Sequence, residues 1–255
     1  MTHEIDEYDH YDEFDPVLYL NNFYNTIGSE GYGILHFLHE VFVQQAQDCK
    51  VLEFGGGPTI IGIMSAARIA SEIHFAEYIP ANRMIVQRWV DGDSSDFDWS
   101  PYFHAVLELE GQILPTEQQH AELVQQVRDK VTKVIHGDIY QRPPVATDMQ
   151  YDVVMSHYCL DSVAGNYEEW LGFIKNLSSL LRSGGTIVLS TLQEVDLCHY
   201  RDIVFHNIYL DKEKLAQSLI ATGFDPDSIY LDSAASDDLS ERGYPGVLFA
   251  SAVKL

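Results

Sequence analysis

The sequence predicts an α/β fold: a seven-stranded, mostly parallel sheet with helices on both faces, an antiparallel strand at the C-terminal edge, and a helical lid before the first strand. Three observations carry this. Short apolar runs alternate with segments of helical period along most of the chain, the pattern of βαβ units whose sheet is covered on both faces. The first such run, Val51-Leu52-Glu53-Phe54, ends in Gly55-Gly56-Gly57-Pro58-Thr59, a tight turn opening onto a helix. The last two apolar runs have no helical segment between them, which pairs them antiparallel.

Residues 1–14 read as an acidic, mobile N-terminus: Glu4, Asp6, Glu7, Asp9, Asp12 and Glu13 fall here, with His3 and His10 among them. One domain then runs over 15–255, with 15–48 as helical lid and 49–255 as core. Asp15 caps a first helix that has Pro16 at its first position and Gly28 after it. A second, about 30–46, presents Ile34, Leu35, Leu38, Val41 and Phe42 on one face. Strand one is 50–54, followed by a helix over 59–70. Strand two is 72–76 and ends at Glu77. Pro80 opens a helix to Val90, and 91–103 reads as loop. A helix over 117–134 leads into a short third strand, 133–136, closed by Gly137-Asp138. After a proline-bearing loop come strand four, 151–156, a helix over 166–182, and strand five, 186–191, entered through Ser183-Gly184-Gly185. Residues 192–211 read as irregular. A helix over 212–222 and two strands, 228–232 and 247–254, finish the chain.

Composition narrows the function. A hydrophobic content of 46% with 12% aromatics is that of a packed domain, not of a disordered chain. There is no run of 18 apolar residues and no basic-then-apolar leader, so the reading is neither membrane-spanning nor secreted. Cys49, Cys159 and Cys198 share no metal-type spacing and read as free thiols in a reducing cytoplasm. The net charge of −24 excludes nucleic acid as partner, since phosphate binding needs clustered lysine and arginine. Most of that charge is solvated surface; its field also favours cationic small molecules.

In open α/β sheets ligands sit beyond the carboxyl ends of the strands. Four strand ends here are polar: Gly55 to Thr59, Glu77-Tyr78, Asp138-Ile139 and Ser156-His157. Singly each has an ordinary structural role; successive strand ends that all carry one point to a site. A carboxylate at Glu77, 20 residues past Gly57, suits a ribose diol, because it accepts two hydroxyl hydrogen bonds. The dinucleotide fingerprint is broken, since position 60 is Ile60 and Pro58 has no N–H to offer a pyrophosphate. The turn suits a nucleoside without phosphates. S-adenosylmethionine fits, with Gly55, Gly56 and Gly57 at its amino-acid end, Glu77 at the ribose and Asp138 at the adenine; Glu53 and Thr59 are further cofactor-binding candidates beside the turn. No metal is expected.

Phe14-Asp15-Pro16-Val17-Leu18-Tyr19-Leu20, the Gly55 to Thr59 turn, Phe97-Asp98-Trp99-Ser100-Pro101, Cys159-Leu160-Asp161 and the closing Gly246 to Leu255 resemble one known set. It is the small-molecule methyltransferases that include nicotinamide, phenylethanolamine and indolethylamine N-methyltransferases and thioether S-methyltransferase. The resemblance covers about residues 14–255 and implies a Rossmann-like core. It implies that Tyr19 and Tyr24 close over the cofactor, that Tyr78 and Asn82 lie beside the ribose carboxylate, and that Asp138 with Ile139 contacts the adenine. Four positions depart from the family pattern: Glu53 and Glu77 stand where aspartate is common, Ile61 replaces a tyrosine, and His157 stands where threonine is frequent.

The acceptor side departs further. Family members with nicotinamide- or phenylethanolamine-type acceptors carry a carboxylate at the end of strand five; here Thr191 is the best match, with Glu194 and Asp196 only later. An acceptor-contacting serine aligns loosely with Asn207. Residues 192–211, with Cys198, His199, Tyr200 and His206, are expected to line the acceptor pocket, and Tyr19 and Asp161 to face it. Candidates for holding an ammonium and taking its proton are Asp161, His157 and His199. The expected activity is methyl transfer to a nitrogen of a small amine or N-heterocycle by a monomer. Two alternatives stand beside it: the same transfer to a thiol, thioether or selenide, and a catalytically silent module that only binds the cofactor.

Overall fold

The computed structural model of the chain describes residues 14–93, 95–200, 203–237 and 243–255, and for 198–200 and 203–205 the backbone only. The acidic N-terminal segment, apart from Phe14, lies outside the described residues.

Seven strands form the sheet: β1 (Cys49–Phe54), β2 (Ala70–Glu77), β3 (Val131–His136), β4 (Tyr151–His157), β5 (Leu181–Leu192), β8 (Tyr230–Ala235) and β9 (Gly246–Val253). Their order is β3-β2-β1-β4-β5-β9-β8. The first five are parallel, and β9 inserts antiparallel between β5 and β8. Strand order reverses between β1 and β4, so the crevice beyond their carboxyl ends is where such a sheet binds ligands. Side-chain alternation sorts the core. Val51, Ile73, Phe75, Val153, Met155, Val188 and Phe249 face one layer of helices; Leu52, Phe54, Val154, Ile187, Leu189 and Leu248 face the other.

The first layer comprises α2 (Gly28–Phe42), α3 (Ile61–Ala66), α4 (Pro80–Val90), α5 (Ser100–Leu109) and α6 (Glu117–Lys130), with α1 (Pro16–Phe23) above it. The second comprises α7 (Leu160–Val163), α8 (Tyr167–Ser178) and α9 (Lys212–Ala221). Asp15 caps α1 by accepting from Leu18 N at 3.0 Å, and Pro16 is its first residue.

The structure departs from the sequence reading at several boundaries. Residues 100–103, read as the end of a loop, open α5, which runs on to Leu109. Its start is Ser100-Pro101, with Pro101 where a helix loses nothing by lacking an N–H. The helix read to 134 ends at Lys130, because the β-branched run Val131-Thr132 enters the sheet. α3 is shorter than read, since Thr59 folds back onto Gly56 O through its N–H (3.2 Å) and hydroxyl (2.8 Å). β5 begins before the Gly184 turn, which is an irregularity within the strand at φ 73° and not its entrance. The segment read as irregular, 192–211, contains a hairpin, β6 (Leu197–Tyr200) with β7 (Ile203–His206).

The two helices expected to form the lid differ in how they are held. α1 buries only Leu20. α2 is built into the core: Gly33 admits Ala234 against its backbone, and Phe37 stacks on Tyr230 and Phe249 at 5.3 and 5.4 Å between ring centres. Its N-terminus has no local side-chain cap. Asp237, between β8 and β9, supplies one from 207 residues away. The Asp237 carboxylate accepts from Ser29 N (2.5 Å) and Glu30 N (3.5 Å), and Glu30 Oε1 accepts from Asp237 N (3.2 Å). This is the reciprocal pattern of a capping box, made between distant segments. Gly28, at φ 54°, has no room for a Cβ, which would meet the same carboxylate. Asp237→Ala is therefore expected to lower unfolding free energy by about 1 kcal/mol in urea denaturation, the usual worth of a helix cap. An unchanged midpoint and slope would show that solvent caps α2 equally well.

Candidate active site

The glycine turn leaves β1 at the strand-order reversal. Gly55 N–H donates to Ala76 O at 2.8 Å, tying the turn to β2. Gly55 and Gly57 have φ of 69° and 61°, the left-handed region where a side chain is strained. They differ in what lies above them. A Cβ on Gly55 would run into Cys159 Sγ, whereas one on Gly57 would meet nothing within 4 Å among the described residues. The turn is thus closed by a thiol at one end and open at the other.

Glu77, at the end of β2, is 5% exposed. Its Oε2 accepts from Gly57 N (3.1 Å), and its Oε1 from Ile79 N (2.8 Å) and Asn82 Nδ2 (3.2 Å). Burial raises its pKa, and those three bonds with the nearby Arg83 oppose the rise. Arg83 Nη1 also donates to Glu77 O at 2.7 Å, and Gly137 N–H to the same carbonyl at 3.2 Å, which docks the Asp138 turn here. Asp138 Oδ1 accepts from Tyr140 N at 3.0 Å; Ile139 is buried, and its carbonyl takes Asn176 Nδ2 at 2.7 Å. Tyr78 is 40% exposed, with its ring 5.5 Å from that of His136. The structure therefore brings Gly57, Glu77, Asn82 and Asp138 to one crevice rim. Thr59 is spent on closing its own turn.

Glu53 lies behind the turn, 1% exposed. Its Oε2 has no hydrogen-bond partner, and it faces His157 Nε2, also without one, at 3.8 Å. His157 Nδ1 is held by Ser190 Oγ at 2.7 Å. Gly62 makes room for the pair, since a Cβ there would overlap Glu53 Oε2. Burial pushes Glu53 up to about 8 and His157 down to about 3. The ring nitrogens of His157 are thus turned to Ser190 and Glu53, with Nε2 directed at the carboxylate behind the glycine turn.

Asp161, in the first turn of α7, is 0% exposed. Its Oδ2 accepts from Leu192 N, at the end of β5, at 2.9 Å; its Oδ1 has no partner. Burial pushes it up to about 6 against the backbone donors around it. A carboxylate is thus delivered to the end of β5 from a different loop, next to Thr191, whose hydroxyl is buried without a partner. Asn207 is buried alongside, accepting from Ser162 Oγ at 3.0 Å. The side chains of Cys198, His199 and Tyr200 lie outside the described residues, and His206 is exposed.

Residues that the sequence reading passed over, Tyr158, Glu30, Tyr244 and Tyr102, complete the surroundings. Tyr158, at φ 53° directly after β4, occupies a left-handed conformation costly for a tyrosine, held by its N–H to Ser190 O at 2.8 Å. Burial raises its hydroxyl pKa most, with Glu30, Tyr244, Asp161 and Tyr19 adding to the rise, so these groups converge on it. Tyr244 Oη donates to Glu30 Oε2 at 3.0 Å. Above them Tyr24 lies 5.8 Å from Tyr19, 6.1 Å from Trp99 and 6.4 Å from Tyr102 between ring centres. Tyr102 Oη donates to Tyr24 O and Thr26 O. The Asp98-Trp99-Ser100-Pro101 piece is thus the platform on which α1 rests. Cys159 sits centrally: burial raises its thiol pKa, and Glu77, Asp161 and Glu53 add to the effect.

The chain is 27% identical to indolethylamine N-methyltransferase of Mus musculus over 177 residues, 68% of this chain and 65% of that protein. It is 24% identical to nicotinamide N-methyltransferase of Caenorhabditis elegans over 229 residues, 84% of this chain and 82% of that one. Among solved structures, the glycopeptide N-methyltransferase MtfA superposes with a TM-score of 0.54 at 14% identity, covering 89% of this chain and 93% of its own, which establishes the shared fold. A model of the NNMT/PNMT/TEMT family matches residues 2–255, and the chain belongs to that family.

Proposed function

We propose that the protein is an S-adenosylmethionine-dependent methyltransferase acting on a nitrogen of a small amine or N-heterocycle. One observation carries the reading. Glu53, Glu77 and Asp161 are buried at the ends of β1, β2 and β4, around an open glycine turn, and no lysine or arginine is buried among the described residues. Buried carboxylates need cations or donors. Two of these three keep an oxygen without any partner. Such a crevice complements a ligand with both positive charge and hydroxyl groups, which S-adenosylmethionine has.

When bound, S-adenosylmethionine supplies a methyl group on a sulfonium, transferable by in-line displacement to leave a neutral thioether. Gly55, Gly56, Gly57 and Glu53 receive the amino-acid end; Glu77, with Tyr78 and Asn82 beside it, receives the ribose; Asp138 and Ile139 receive the adenine. Tyr19 and Tyr24, held by Trp99 and Tyr102, cover the crevice and exclude water. Asp161 holds the acceptor, with Thr191 and Asn207 near it, and its free Oδ1 takes the proton an ammonium must shed; its pKa of about 6 suits it to that transfer near neutral pH. Delivery of Asp161 to the end of β5 supports nitrogen over sulfur or selenium acceptors, because it supplies the carboxylate that Thr191 lacks. The free thiols Cys49 and Cys159 support a cytoplasmic setting.

Calorimetric titration with S-adenosylmethionine and with S-adenosylhomocysteine is expected to show one site for each; folded protein that binds neither refutes the reading. Glu77→Ala is expected to weaken both by about 1.5–3 kcal/mol, the range for losing hydrogen bonds to a charged group. An unchanged dissociation constant would remove the ribose from Glu77. With labelled cofactor and a panel of small amines, N-heterocycles, thiols and selenides, label is expected on nitrogen. Transfer to thiols alone would replace the acceptor assignment and keep the cofactor.

A further inference from the structure

Glu53 and His157 form an arrangement that the transfer chemistry does not use. Their facing atoms, Oε2 and Nε2, are both buried and both without a partner. The 3.8 Å between them is too long for a hydrogen bond and too short to hold a water. The groups packed around them supply no counter-charge. Ser190 of β5 occupies His157 Nδ1, Gly56 and Gly62 bring no side chain, and Phe75 of β2 lies against the turn. Cys159 is a neutral thiol between Glu53, Glu77 and Asp161. A bare carboxylate in this position would be an uncompensated buried charge, which costs several kcal/mol.

We propose that Glu53 and His157 hold one proton between them in the ligand-free protein, and that Glu53 gives it up to solvent on receiving the ammonium of the cofactor's amino-acid end. The proposal rests on the cofactor assignment above. With Ser190 accepting from Nδ1–H, His157 Nε2 presents a lone pair to the Glu53 carboxyl group; closing the gap by about 1 Å makes it the acceptor of that proton. His157 is then a positioning residue that keeps Glu53 neutral until a cation arrives. Glu53 goes from carboxylic acid to carboxylate, and one proton leaves the protein. Burial supports this state: Glu53, pushed up to about 8, stays protonated at neutral pH, and His157, pushed down to about 3, stays neutral.

The test counts protons. S-adenosylhomocysteine carries the same ammonium without the transferable methyl, and at pH 6.5 that amine, with a pKa of about 8, is already protonated. Titrations in buffers of different ionisation enthalpy are expected to show about one proton released per ligand bound at pH 6.5, with release giving way above pH 9 to proton uptake by the ligand's amine. Glu53→Gln is expected to bind with no release. Binding by the native protein with no net proton overturns this inference and leaves the cofactor assignment standing; absence of binding takes both. A second measurement needs no ligand. Because folding raises the Glu53 pKa above its ordinary 4.5, the native state keeps a proton that the unfolded chain loses, and stability falls as pH rises from there to about 8. His157, neutral when folded, still loses a proton in the unfolded chain near its ordinary 6.5, and Asp161 titrates at about 6; both contributions are common to the two proteins, so the part of a decline between 6.5 and 8 that Glu53→Gln removes belongs to Glu53. Equal slopes in the two proteins overturn the inference. Nitrogen-15 spectra of labelled histidine at pH 6.5 are expected to show His157 as the neutral Nδ1–H form; an imidazolium would place the proton on the wrong partner.

Discussion

Three carboxylates are buried at neighbouring strand ends with no buried lysine or arginine among the described residues, and the rest of the site is arranged around that constraint. The fold answers it in three degrees. Glu77 receives three donors, which oppose the rise that its burial causes. Asp161 receives the Leu192 N–H on one oxygen and nothing on the other, and sits at about 6. Glu53 receives no donor at all and sits at about 8. The number of donors thus differs among the three, and the bond that Glu77 accepts from Gly57 N joins the glycine turn to the end of β2.

The cover over these groups is made from both ends of the chain. α1 rests on Trp99 and Tyr102, so its position depends on the 97–102 segment more than on the sheet. α2 depends on Asp237 for its cap, and its Glu30 meets Tyr244 in return. Glu30 and Tyr244 are also the groups that bear on the Tyr158 hydroxyl. The connection between β8 and β9 thus does two jobs: it finishes a helix and it places polar groups beside the crevice.

Much of this was legible in the sequence. Apolar runs marked the strands, Asp15-Pro16 and Pro80 marked helix starts, and the spacing from Gly57 to Glu77 foretold two residues that are in fact hydrogen-bonded. What was missed has common physical causes. Capping of α2 by Asp237 joins positions 207 apart, and no local pattern encodes it. The left-handed φ of Tyr158 is imposed by the Ser190 carbonyl across the sheet, since nothing in His157-Tyr158-Cys159 demands it. α5 was hidden because Trp99-Ser100-Pro101 has turn-like composition, and at a helix start that same composition is favourable. Asp161 could be named as a polar loop residue; its reach to β5 depends on how α7 packs.

The departures from the family pattern read differently once placed in space. Glu53 and His157, singly, are a lengthened acid and an imidazole where aspartate and threonine are frequent. In the structure Glu53 Oε2 and His157 Nε2 face each other at 3.8 Å in a pocket opened by Gly62. A longer acid reaches further from β1, and only a group with an unprotonated nitrogen can meet it there without adding charge. Thr191 follows the same logic. The carboxylate missing from β5 is brought by Asp161, through the backbone N–H of the very next residue. Both positions are therefore understood through what packs against them, Glu53 through the imidazole across the pocket and Thr191 through the carboxylate bonded to its neighbour Leu192.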